Sequence, residues 1–74
     1  MEALPSPKNG SELLDLYYHD MRSHLLEAAA ALDRIERAGG ADDDPRLRRL
    51  LDAARIAVGR EPDRARRFLE ALSV

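Results

Sequence analysis

The sequence predicts an all-α fold. A long first helix and a kinked return arm, three helices in all, form a helical hairpin that pairs with a second copy into a four-helix-type bundle. Three observations predict it. From Leu14 to Ile35 apolar residues recur at alternating spacings of four and three, the rhythm of one helix face. Helix stop and start signals divide the rest of the chain at Gly39-Gly40, Asp44-Pro45 and Gly59–Pro62. No segment shows the strict alternation of a half-buried strand.

The elements follow in order. Met1–Lys8 contains Pro5 and Pro7 and little that can be buried, so a disordered tail is expected over residues 1–8. Residues 9–74 are expected to form one helical domain, with helices over about 10–38, 45–58 and 62–72. Asn9 and Glu12 have capping-box spacing, with Ser11 as a competing N-cap. The seam of the first helix places Tyr18, Leu25 and Leu32 at heptad position a. Leu14, Met21, Ala28 and Ile35 take position d. About 28 residues rising 1.5 Å each make a rod of roughly 42 Å, which cannot bury its own stripe.

Gly39-Gly40 stops that helix. Asp44-Pro45 restarts the chain, with Asp as N-cap and Pro at the first helical position. Leu47, Leu50, Leu51, Ala54 and Val58 form the second stripe, and Gly59 is expected just past its end. Pro62 then opens a third segment with Ala65, Phe68, Leu69 and Leu72 in register. Four large apolar residues lie off the stripes: Leu13, Leu16, Leu26 and Ile56. They mark a second contact surface, available to a protein partner.

Length and composition favour assembly. With 74 residues there is room for one domain. Below roughly 80 residues a single core supplies only about 3–5 kcal/mol. There is no Cys, so neither a disulfide nor a thiolate zinc site can make up the difference. A homodimer is therefore expected, with a monomeric three-helix bundle as the alternative. The longest apolar run is Ala28–Leu32, far short of the roughly 20 residues of a membrane span. Nothing at the N-terminus resembles a signal peptide, and a cytoplasmic protein is expected. Twelve Ala, and Arg almost to the exclusion of Lys, suggest a GC-rich bacterial source.

Charge is unevenly spread. Residues 1–44 carry ten acids against four bases, and residues 45–74 carry eight arginines against four acids. Complementary flanks of this kind help choose register and orientation between helices.

Chemistry-bearing patterns are few. Asp20, His24 and Glu27 stack on one face of the first helix and are weak candidates for a divalent metal site. Ion pairing along a helix surface is the simpler account, and no cofactor is expected. Arg60, Arg64, Arg66 and Arg67 are candidate nucleic-acid contacts, and residues 54–72 loosely fit a helix-turn-helix. Against that reading, Arg55 stands where a small residue normally packs at the crossing, Pro62 displaces the second helix, and the net charge is −2. Neither His has a Ser or Cys nucleophile aligned with it, so catalysis is not expected. The reading that remains is a small self-associating protein–protein interaction module with an adaptor, regulatory or assembly role. A nucleic-acid-binding protein and a metal-binding helical bundle stand as alternatives.

Overall fold

A computed structural model describes residues 9–73, and among them there are three helices and no strand. The expected disordered tail, residues 1–8, lies outside the described residues, as does Val74. The helices are α1 (Gly10–Arg37), α2 (Pro45–Ala57) and α3 (Arg64–Leu72).

The start of α1 is the capping box. The Glu12 amide donates to Asn9 Oδ1 at 2.9 Å, and the Asn9 amide donates to Glu12 Oε1 at 3.0 Å. Two amide donors that the first helical turn leaves unpaired are thereby satisfied. Asn9, not Ser11, is the cap. At the other end Arg34 and Arg37 occupy the last turn, where positive charge meets the negative end of the helix dipole. The chain then leaves the helix through Gly39 (φ 112°) and Gly40 (φ 81°), backbone conformations that glycine adopts at little cost.

At α2 the restart is equally local. Asp44 is the N-cap, extended at φ −89° and ψ 116°, and its Oδ1 accepts from the Arg46 amide at 2.9 Å. Pro45 fills the first helical position, where a missing N–H costs nothing. Beyond Ala57 the Val58 amide still donates to the Ala54 carbonyl at 3.1 Å, and the Gly59 amide donates to that of Ile56 at 3.2 Å. Gly59 sits just past the cap, as expected, but does not take a left-handed φ. Its role is spatial: a Cβ there would lie 2.8 Å from the Arg55 carbonyl oxygen.

The third helix starts two residues later than Pro62 suggested. Asp63 adopts a left-handed conformation (φ 60°, ψ 38°) and reverses the chain before Arg64 can begin the helix. Asp63 makes no side-chain cap bond. Its carboxylate instead accepts from Arg66 Nη2 at 3.3 Å.

Residue contacts divide the chain into two units, Met1–Arg37 and Ala38–Val74. In the first, no residue of α1 is buried. In the second, α2 and α3 pack on each other, and Ala53 is fully buried. The expected α2 stripe is only partly right. Leu47, Leu51 and Ala54 are half-buried, whereas Leu50 and Val58 are exposed. Ala53 was outside that stripe, and Ile56, expected on a free surface, is half-buried.

Candidate functional site

Two surfaces carry the features the sequence singles out, one in each unit. The first is the apolar face of α1. Of its seven seam residues, Leu14, Tyr18, Met21, Leu25, Ala28 and Ile35 are exposed and Leu32 is half-buried. Leu25, at the middle of the seam, is 53% exposed. Tyr17 joins this face from its flank. Leu13, Leu16 and Leu26 are also exposed, so three of the four off-stripe residues offer free apolar surface and Ile56 does not. Large contiguous apolar surface is uncommon on soluble monomers and marks a contact site.

Asp20, His24 and Glu27 line the same helix and all are exposed. Among the described residues no group of three or more His, Asp or Glu side chains is placed to hold a metal ion. The three remain a row along a helix. Tyr18 and His19 meet edge to face, with ring centroids 5.8 Å apart, a contact between chain neighbours.

The second surface belongs to α2 and α3. Ala57, Arg64, Ala65 and Phe68 line an open hollow of about 310 Å³. Its walls are mainly apolar. Arg64 Nε donates to the Gly59 carbonyl at 2.6 Å, which fixes the side chain against the turn between the helices. Arg67 follows three residues later. Its Nη1 is buried and has no hydrogen-bond partner among the described residues. A buried guanidinium nitrogen without an acceptor is costly, and such groups call for an explanation.

The other arginines are occupied differently. Arg66 is exposed and shared between Asp63 (3.3 Å) and Glu70 (3.1 Å). Arg55 pairs with Asp52 at 3.0 Å. Arg46 grips the Asp44 cap, with Nη2 2.7 Å from Oδ2. These pairs are solvated, so each contributes little to stability. Arg60 is exposed and has no ion-pair partner among the described residues. The four candidate nucleic-acid contacts are thus not equivalent. Arg66 is neutralised locally, Arg64 is held at the hollow, Arg67 is partly buried and Arg60 is open.

Asp44 carries a marked electrostatic signature. Hydrogen bonds from the Arg46 side chain, and then from the Arg46 amide, hold its carboxyl well below the ordinary 3.8, at about 2. The charged form of the cap is therefore favoured, and Arg46 is correspondingly harder to deprotonate. This is a structural device at a helix start.

The fold places the chain among small all-α proteins, and no helix of the described residues is long and apolar enough to cross a membrane. No protein-family model, curated protein or solved structure matches the chain. The hollow and the unpartnered Arg67 nitrogen were not legible beforehand. Both depend on how α2 and α3 cross, and the spacing of Ala57, Ala65 and Phe68 reads equally well as plain core.

Proposed function

We propose that this protein is a small helical interaction module that self-associates through α1, with an adaptor, regulatory or assembly role. One observation carries the reading: α1 extends over 28 residues, buries none of them, and exposes nine large apolar side chains. An isolated helix draws most of its stability from packing an apolar face, so an uncovered face of this length calls for a partner. The heptad spacing of the face suits another helix better than a small ligand. In this reading two chains pair as helical hairpins into a four-helix-type bundle. Leu16 and Leu26, off the seam, remain available to a second protein.

Absolute mass by light scattering behind size exclusion, over a wide micromolar concentration series, tests this reading. The expected result is twice the chain mass, with dissociation on dilution. A chain that keeps a single-chain mass throughout the series overturns self-association.

A further inference from the structure

We infer that α1 pairs antiparallel with α1 of a second copy, and that Tyr17 and Tyr18 of each copy seat on the Ala28–Ala31 run of the other. The inference rests on the self-association reading and adds orientation and register to it. It is carried by where large and small side chains stand along one exposed face. Tyr18 holds heptad position a, and Tyr17 holds the flanking position g. Both rings are exposed over about half their surface. Ala28, at position d, and Ala31, at position g, are exposed as well, roughly 15–20 Å further along the helix.

A parallel pair stacks each seam position on its own copy. Tyr18 would then meet Tyr18 and Ala28 would meet Ala28, one layer overfilled and another left thin. Close-packed cores penalise both faults. An antiparallel pair sets position a against d, and g against g, of the second copy. With Met21 opposite Leu25, the layers become Met21–Leu25, Tyr18–Ala28 and Leu14–Leu32, each formed twice about the dyad. On the flank the same register sets Tyr17 opposite Ala31. Each ring then meets a small side chain. The dyad falls beside Ser23, near the middle of Gly10–Arg37, so the helices overlap along almost their whole length. A shift of one heptad either way puts Tyr18 against Ile35 or Met21 and shortens the overlap. The area suffices for a dimer. Leu14, Tyr17, Tyr18, Met21 and Leu25 are each about half exposed. At about 100 Å² apiece, two copies remove roughly 1,000 Å² from water, the size at which a specific contact becomes stable. The register's cost falls at its solvated edge, where the two Arg22 side chains face each other and are screened.

Cross-linking tests this. The chain has no cysteine, so introduced thiols report contacts cleanly. Leu14→Cys and Leu32→Cys, each in the full chain, put one thiol at either end layer and keep both tyrosines and the alanines. Light scattering first checks that both variants associate as wild type does. Mixed under mild oxidation, they are expected to give a disulfide-linked dimer on a non-reducing gel, ~10-fold or more above either variant alone. In the antiparallel pair like positions stand about 27 Å apart along the axis, far beyond the roughly 7 Å a disulfide spans. Efficient cross-linking of either variant alone overturns the inference in favour of a parallel pair. Variants that associate but cross-link in no sample also overturn it, and leave self-association standing through another register or surface. A wild-type chain that never associates removes both readings, and its dilution series alone reveals that. If the cysteines weaken association, a spin label at Arg37→Cys, on the outer face of α1, takes their place. A label separation beyond about 40 Å is then expected, and one of about 20 Å, two helix diameters, overturns the inference.

Discussion

The two units of this chain solve the same problem in different ways. Helix α1 has the longest and most regular apolar face in the molecule and buries nothing. The α2–α3 unit has shorter helices of 13 and 9 residues, a less regular pattern, and a fully buried Ala53. Regular heptad spacing is therefore no measure of how much a helix buries within its own chain. Here the strict seam goes with an uncovered helix, whereas the shorter helix pair packs together and buries one small residue. The contrast extends to charge. The acids of α1 form no ion pairs among the described residues, whereas α2 and α3 tie up several of theirs in local pairs.

The hardest blow to the α2–α3 unit is Ala53→Glu. The side chain has no exposure, so the carboxylate would be buried with no partner and the packed helices forced apart. Loss of about 3 kcal/mol or more is expected, enough to melt a small helix pair. Thermal unfolding followed by circular dichroism reads this as the loss of the α2–α3 helical signal. An unchanged melting curve would show that Ala53 does not hold the pair together.

The corresponding blow to α1 is Leu25→Asp, and here the comparison is sharpest. A side chain 53% exposed in a solitary chain costs little to replace, within roughly 0.5 kcal/mol. Covered by a partner, it would cost about 1.5–3 kcal/mol of association, or roughly a tenfold to hundredfold weaker dimer. Leu26→Asp is the control, since it lies off the seam at 59% exposure and is expected to leave the dimer intact. Equal effects from the two would mean that the heptad seam is not the contact.

Much of this architecture is legible in the sequence, because the signals that set helix ends are local. Asn9 with Glu12, Gly39-Gly40 and Asp44-Pro45 each act within four residues, and each does what its residue types predict. The seam of α1 is likewise a matter of spacing. Reading fails where tertiary geometry decides. Pro62 is a valid start signal, but Asp63 takes a left-handed conformation to turn the chain, and the helix waits until Arg64. Gly59 is legible as a residue just past the end of α2, but the Arg55 carbonyl oxygen that leaves no room for a Cβ there is not. Val58 fits the apolar stripe of α2 and is nonetheless 65% exposed, while Ala53 off that stripe is buried. Which face of a short helix is covered depends on its neighbour, and the pattern of the helix alone does not name the neighbour.

A smaller effect is expected at the capping box. Asn9→Ala removes the acceptor of the Glu12 amide and frees Glu12 from its reciprocal bond. About 1 kcal/mol of α1 stability should be lost, within the usual range for N-caps. The first turn would fray, visible as faster amide exchange over the first helical residues. Ser11→Ala should have almost no effect, since Ser11 is not the cap. Equal losses at the two positions would mean that the box contributes nothing beyond helix propensity.

The smallest effect, and the one most specific to the second unit, is the acid response of its N-cap. Asp44 has its pKa lowered to about 2 in the folded chain, first by the Arg46 side chain and then by the Arg46 amide. A carboxyl depressed on folding adds stability that is complete above its unfolded value of about 4. That contribution fades as the pH falls through about 2, because protonation then becomes as favourable in the folded state as in the unfolded one. Asp44→Asn keeps a cap acceptor but cannot ionise. Between about pH 4 and pH 2, the melting temperature of wild-type α2–α3 should therefore fall more steeply than that of the variant. The difference should shrink with added salt, because the Arg46 contact is solvated. Parallel slopes in the two proteins would show that Arg46 does not hold the cap in its charged form. An acid response confined to α1 would locate the titrating group in the other unit.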